Sequence, residues 1–532
     1  MTSAPNPSAP FPGLQRGFLF GLLFTLLVGV ALRFPHLEQR PMHNDEAVNA
    51  IKFGHLWEKG AYRYDPNEHH GPSLFYATLA IARLTSSPDF AHLTETKLRL
   101  VTVAFGLGLI LLLPLIVDGL GRNPTLWAAL FTAVSPAMVF YSRYYIHEML
   151  LVFFSLLALA AAWRYWRSRH IGWALLAGAA FGLMQATKET FVLSLAAAAL
   201  ALGLNQAWNR LLDATGLPIR KPKIKLAHAA AGAGVWLLVA VLLFSSFLTN
   251  AHGPIDSLLT YAPWLKRAGG QSPHIHPWTF YLQRLLFFHQ DNGPVWSEAA
   301  IFVLAVIGAL AAFLRRGLRD ADFSFVRFLA LYSFILLAAY SLISYKTPWC
   351  LLGFWHGLIL VAGVGASVVV RSFKARLGKL AAGFVILGTA AQLGALAWSA
   401  DEHYASSPAN PYVYAQTSDD LLKLVAKIED LSQAHPDRHK LLIKVMAPED
   451  DYWPLPWYLR AFPNVGWWNN LPPDPFAPIM VVSSRFHAGL DETKTHQMVG
   501  IFQLRPQEFF ELYVEVSLWR AWLASRPPEK ED

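Results

Sequence analysis

Long apolar runs alternate with short basic connectors up to about residue 400, after which the pattern breaks into shorter mixed segments. A membrane span needs roughly 20 apolar residues. Runs approaching that length fall at about 16–34, 98–120, 126–141, 149–166, 172–186, 191–208, 226–248, 299–314, 325–343, 351–370 and 380–398. One further run, 72–84, is apolar but short and ends in Arg83. Positive charge decides how it lies. The connectors holding Arg122, Arg164/Arg167/Arg169, Arg220/Lys221/Lys223/Lys225, Arg315/Arg316/Arg319 and Arg371/Lys374/Arg376 fall at every second loop and belong on the cytoplasmic side. Arg16 joins them only if 72–84 does not cross, so that segment is expected to lie in the interface. The pattern predicts an α-helical polytopic membrane protein of about 11 spans. Its N-terminus is expected inside and its C-terminus outside.

Beyond residue 400 the spacing changes. Leu421, Leu422, Leu424, Val425 and Ile428 form a helical stripe, 441–445 and 479–482 read as strands, and 509–522 reads as an amphipathic helix. Alternating helices and strands predict a small extracytoplasmic α/β domain. The expected organisation is a disordered tail over 1–15, a transmembrane domain over 16–400 with a first outer loop at 35–97, and the α/β domain over 401–532.

Composition agrees. Of 532 residues 54% are hydrophobic and 15% charged, and the mean hydropathy is +0.33. Soluble domains carry about 25% charged residues. The net charge of +8 is therefore a topology signal and does not argue for nucleic acid. The single cysteine, Cys350, has no partner for an internal disulfide. No phosphate-binding loop, dinucleotide fingerprint, zinc-type cysteine spacing or internal repeat is present.

The topology gathers unusual polar residues in the outer loops: Asp45, Glu46, His69 and His70; Arg143, His147 and Glu148; Lys188 and Glu189; His274 and His276; and Lys346. Charged groups beside an apolar anchor ordinarily have a partner or a task. Each also has a plainer reading. Asp45 and Glu46 can cap a helix that starts beside them. Glu148 can pair with Arg143. Lys188 and Lys346 can snorkel to headgroups. Loop histidines are commonly plain polar contacts, though His69, His274 and His276 are weak candidates for a divalent metal. Trp453, Trp457, Trp467 and Trp468 fit a sugar-stacking surface or interfacial packing.

Several motifs carry a resemblance. His43-Asn44-Asp45-Glu46-Ala47, Tyr62-Arg63-Tyr64-Asp65-Pro66 with His69-His70-Gly71-Pro72, and Tyr141-Ser142-Arg143-Tyr144-Tyr145-Ile146-His147-Glu148 resemble the GT-C membrane glycosyltransferases. Within these they are similar to the dolichyl-phosphate-mannose protein mannosyltransferase and aminoarabinose transferase superfamily. Ser344-Tyr345-Lys346-Thr347-Pro348-Trp349 and Asp451-Tyr452-Trp453-Pro454-Leu455-Pro456-Trp457-Tyr458 look like a prokaryotic flippase-activity-associated branch. The resemblance implies the GT-C fold and a prokaryotic plasma-membrane location. It implies transfer of a hexose or pentose from a polyprenyl-phosphate donor to a glycan, lipid or protein acceptor on the outer face. It makes Asp45 the general base and Glu148 a second catalytic carboxylate. Glu46, Arg143 and His147 are then supporting residues, and Lys188, Lys346 and His70 hold the donor phosphate. The family's aminoarabinose branch has Lys-Pro where this chain has Gly71-Pro72, so the phosphate contact must come from elsewhere. Two rivals stay open: a non-catalytic partner of a lipid-linked glycan flippase, and a transporter. Transporters usually carry repeats and mid-membrane polar breaks.

Overall fold

The computed structural model describes residues 16–60, 62–67, 70–213, 224–269, 274–290 and 292–526. The expected tail at 1–15, His69 and the basic residues Arg220, Lys221 and Lys223 lie outside them. The chain forms two compact units. One holds the apolar helices; the other gathers Glu38–Glu58, Ser86–Glu95 and Val413–Asp532.

Every apolar run of the first unit is helical. Among the described residues eight helices are long and apolar enough to cross a membrane: Arg16–Arg33, Glu95–Leu120, Glu148–Ser168, Phe191–Leu211, Leu226–Phe244, Phe323–Leu342, Pro348–Ser372 and Arg376–Glu402. The pair Arg122–Val134 and Pro136–Ser142, bent by 57°, is a broken span or a re-entrant loop. Ile171–Gln185 and Ala299–Leu314 are shorter apolar helices. The chain is thus a multi-pass membrane protein. Ser73–Leu84 has 12 residues, which at ~1.5 Å each falls well short of a hydrocarbon core of about 30 Å. Small residues let the helices approach closely. A Cβ at Gly365 would lie 1.8 Å from the Leu304 carbonyl oxygen, and one at Gly308 2.3 Å from that of Val361.

The 57° bend has an identifiable cause. Pro136 cannot continue the ladder of the preceding helix, and Ser135 accepts the Met138 N–H at 3.4 Å. Glu298, fully buried, fastens this corner. It accepts from Ser135 Oγ at 2.5 Å, the Ala137 N–H at 3.1 Å, Tyr412 Oη at 2.7 Å and Trp355 Nε1 at 3.2 Å. A buried carboxylate persists only when so supplied with donors. The bend sends the chain into the Tyr141–Glu148 motif.

In the second unit, strands β1 (Ile443–Met446), β2 (Val465–Trp468), β3 (Ile479–Ser483), β4 (His496–Arg505) and β5 (Glu508–Glu515) form one sheet of order β2-β1-β3-β5-β4. β1, β2 and β3 are parallel, and β5 is antiparallel to β3 and β4. The helix Asp420–Ala434 buries Leu421, Leu424, Ile428 and Leu431 against Ile443, Val445, Ile479 and Val481. The expected helix over 509–522 is corrected: it is β5 followed by the helix Val516–Ala524. Phe510, Leu512 and Val514 alternate into the core, and pairing on both sides of β5 overrides the helical reading.

Candidate active site

The Asp45 motif lies in the second unit. Pro41 and Met42 are held by Gln416 Nε2 at 3.0 Å, Thr417 Oγ1 at 2.8 Å and Tyr458 Oη at 2.8 Å. The Asp451–Tyr458 motif therefore supports the acidic motif, a link the sequence alone did not reveal. The helix Asn44–Lys59 then opens with a reciprocal cap. His43 Nδ1 accepts the Asp45 N–H at 3.1 Å, and Glu46 Oε2 accepts the His43 N–H at 3.0 Å. Burial lowers the His43 pKa, although Asp45 and Glu46 oppose this. A neutral ring fits its acceptor role. Glu46 is fully buried and also meets Arg40 at 3.5 Å. Its geometry is that of a supporting group. Asp45 differs: its side chain is half-buried, and among the described residues no hydrogen bond or ion pair engages the carboxylate. A carboxylate at a fixed helix start with nothing to neutralise it can accept a proton.

The remaining candidates belong to the first unit and fall into three groups. Arg143 is buried and meets Asp401 at 3.3 Å, Glu402 at 3.8 Å and the carbonyl oxygens of Leu32 and His36. It ties helix ends together, and the Arg143–Glu148 pair weighed from sequence gives way to these contacts.

Glu148 instead forms a buried ion pair with Lys188. The turn at Gly71-Pro72 positions it. The Gly71 N–H donates to Thr187 O at 3.0 Å and the Ser73 N–H to Ala186 O at 2.9 Å. A Cβ at Gly71 would stand 2.1 Å from the Ala186 oxygen, so no longer residue fits there without a shift. His147 donates through Nε2 to Gly71 O at 3.0 Å, with its ring 5.0 Å from that of His70. His70 Nδ1 meets Glu189 Oε2 at 3.3 Å. Burial opposes the Lys188 charge, yet Glu148 and Glu189 hold its pKa well above the ordinary value. Burial likewise opposes the charge on Glu189, but His70 and Lys188 bring its pKa below the usual carboxylate range. Lys188 therefore arrives already neutralised. Removing one partner of a buried pair costs about 3–5 kcal/mol. Glu148→Gln and Lys188→Met should each destabilise the protein on that scale. The double variant should recover much of the loss in thermal unfolding, and additive losses would mean that the two do not form a pair.

The third group surrounds Lys346. Residues 274–276 and 344–346 run side by side: the Lys346 N–H donates to His274 O at 2.8 Å and the His276 N–H to Ser344 O at 3.1 Å. Lys346 Nζ donates to the carbonyl oxygens of His276, at 2.9 Å, and Ile343. Among the described residues it meets no carboxylate, and burial lowers its pKa. His276 stacks on Phe280 at 4.3 Å, and the Arg284 guanidinium lies 3.8 Å from the same ring. Burial first, then Arg284, His274 and Lys346, lower the His276 pKa. Lys346 and Arg284 thus bring two cations to the surroundings of His276. Arg284 escaped the sequence reading; its only signal was its place two turns beyond His276. His274 packs edge-on to Tyr345. Among the described residues no three His, Cys, Asp or Glu side chains converge as a metal site. Of the tryptophans, Trp457 is a packing residue: it is fully buried, donates to Glu95 at 2.7 Å and is covered by Arg460.

Solved structures share this fold. ArnT from Cupriavidus metallidurans, bound to undecaprenyl phosphate, superposes with a TM-score of 0.61 at 14% identity, covering 93% of this chain and 98% of that one. Its apo state gives 0.59 at 15% identity, covering 94% and 99%. The apo oligosaccharyltransferase of Archaeoglobus fulgidus gives 0.56 at 13% identity, covering 85% of this chain and 64% of that one. The family model for dolichyl-phosphate-mannose-protein mannosyltransferase matches residues 69–231. Comparison of the sequence with curated proteins yields no match. The chain shares the fold of these solved structures.

Proposed function

We propose that this protein is a membrane glycosyltransferase that moves a hexose or pentose from a polyprenyl-phosphate donor to an acceptor on the extracytoplasmic face. The observation that carries the reading is the contrast between two lysines. Lys188 is neutralised by Glu148, whereas Lys346 lies near His276 and Arg284 and meets no acid among the described residues. A lysine with no described carboxylate partner suits a phosphate that leaves with its negative charge. Lys346, Arg284 and His276 hold that phosphate in this reading. Asp45 takes the proton from the acceptor hydroxyl as the sugar–phosphate bond breaks. Glu148, with Lys188, orients the chain around the Gly71-Pro72 turn, and His70 and Glu189 extend that buried network. The similarity to an undecaprenyl-phosphate-bound protein supports the donor class.

Reconstitution tests the reading. Purified protein in liposomes loaded with labelled polyprenyl-phosphate sugar should release free polyprenyl phosphate. Release should require acceptor on the side where the C-terminal unit is accessible to protease. Donor left intact with every acceptor class, by protein that still binds it, would favour the flippase-partner alternative.

A further inference from the structure

An apolar groove of about 390 Å³ runs between the helices Ala299–Leu314 and Phe323–Leu342, lined by Val306, Leu310, Phe313, Ala330, Phe334 and Ala338 among others. At the end closed by residues 315–322 lie two arginines that the proposed reaction does not use. Arg327 is fully buried. Its Nε donates to Asn205 Oδ1 at 2.7 Å and its Nη2 to Asn209 Oδ1 at 2.5 Å, and both asparagines are fixed by Ser324. Nη1 has no hydrogen-bond partner among the described residues, and neither has Nε of Arg315. The two cations repel each other. Asp322, the acid that faces Arg327, directs Oδ1 to the Phe325 N–H at 2.9 Å. Neither arginine forms an ion pair with a described carboxylate. The Phe313 ring stands 5.9 Å from the Arg327 guanidinium, so the positive end and the groove adjoin.

A buried arginine repelled by a half-exposed one is costly to hold unless an anion joins them. The groove fixes which kind of anion. Its lining is apolar, it lies in the membrane-spanning part, and its size suits a ligand of drug to lipid-chain dimensions. Basic pockets between membrane helices bind anionic headgroups. We propose that this is a binding site for an anionic phospholipid: one acyl chain lies in the groove and the phosphodiester rests on Arg315. Arg327, held by its two asparagines behind Phe313, adds a fixed positive field. Ala309, Ala330 and Ala338 keep the groove open by lacking bulk. The site is separate from the donor cations, since Lys346 follows the other end of the same Phe323–Leu342 helix.

Native mass spectrometry of the full-length protein in mild detergent tests this. The lipids are phosphatidylglycerol and phosphatidylethanolamine with identical chains. The parent should retain about one phosphatidylglycerol, with at least about a fivefold preference over phosphatidylethanolamine, the scale of one arginine at a membrane surface. Arg315→Gln should abolish that preference and Arg315→Lys should restore part of it. Ala338→Trp, which fills the groove from its exposed side, should lower retention of both lipids. Equal retention of the two lipids by the parent overturns the proposal. So does an unchanged preference in Arg315→Gln whose melting temperature matches the parent.

Discussion

Asp45→Asn should reduce glycosyl transfer by at least about 100-fold, the lower end of what a positioned general base contributes, while leaving the protein folded and membrane-inserted. The expectation rests on what holds the residue and what does not. The helix start at Asn44 is fixed by the His43–Glu46 cap and by Gln416, Thr417 and Tyr458, none of which uses the Asp45 carboxylate. Asparagine keeps the backbone N–H that His43 accepts, and it is an acceptable residue in a first helical turn. Stability should therefore change little, by the few tenths of a kcal/mol that separate an exposed acid from its amide near a helix dipole. The neighbouring Glu46→Gln should behave in the opposite way, costing stability because Glu46 is buried and meets both the His43 N–H and Arg40. Transfer by purified Asp45→Asn within threefold of the parent would falsify the assignment and return Asp45 to a plain first-turn acid.

The fold was legible because membrane helices announce themselves. Apolar length has little freedom inside a bilayer, where backbone groups must be satisfied within the segment. All eleven long runs are helices, but the run 126–141, read as one span, is bent at Ser135-Pro136. What the sequence hid lies mostly in pairing. Glu148 was set beside Arg143 because five residues of sequence separate them; in three dimensions it reaches Lys188, forty residues on. Lys188, which could have snorkelled to headgroups, is fixed there, and its neighbour Glu189 also meets His70. Helix ends converge from distant parts of a bundle, so sequence proximity is a poor guide to ion pairs there. Glu298 gave no warning at all: it is one acid at the edge of an apolar run, and only the folded corner shows its four donors. Arg284 was similarly unmarked. β5 was misread because Phe509, Phe510, Leu512, Tyr513 and Val514 fit a helical face as well as alternation, and only pairing with β3 and β4 decides. The supporting role of the Asp451–Tyr458 motif was invisible because Met42 and Tyr458 are 416 residues apart in sequence.

Lys346→Met should weaken donor binding far more than loss of the Lys188 charge. Methionine keeps most of the apolar stem and removes the ammonium, which separates snorkelling from phosphate binding. Charge-assisted hydrogen bonds are worth about 1.5–3 kcal/mol, so a roughly 10- to 100-fold loss in affinity for a polyprenyl-phosphate sugar is expected. Lys188 needs a fairer control, because Lys188→Met alone leaves Glu148 buried and unpaired. In the double variant Glu148→Gln/Lys188→Met both charges are gone, and donor affinity should stay within a few-fold of the parent. The pH dependence gives an independent check. Burial lowers the Lys346 pKa, so the free protein loses this charge at a lower pH than an ordinary lysine would. A phosphate ligand favours the charged form. Donor affinity should accordingly be full below the lowered pKa and fall as pH rises through it, and that alkaline limb should vanish in Lys346→Met. Arg284→Gln should weaken binding without moving the limb, since a guanidinium does not titrate in this range. If the limb persists in Lys346→Met, or if the double variant loses donor as severely, the phosphate is held at the Glu148–Lys188 end, with His70 and Glu189 as its neighbours.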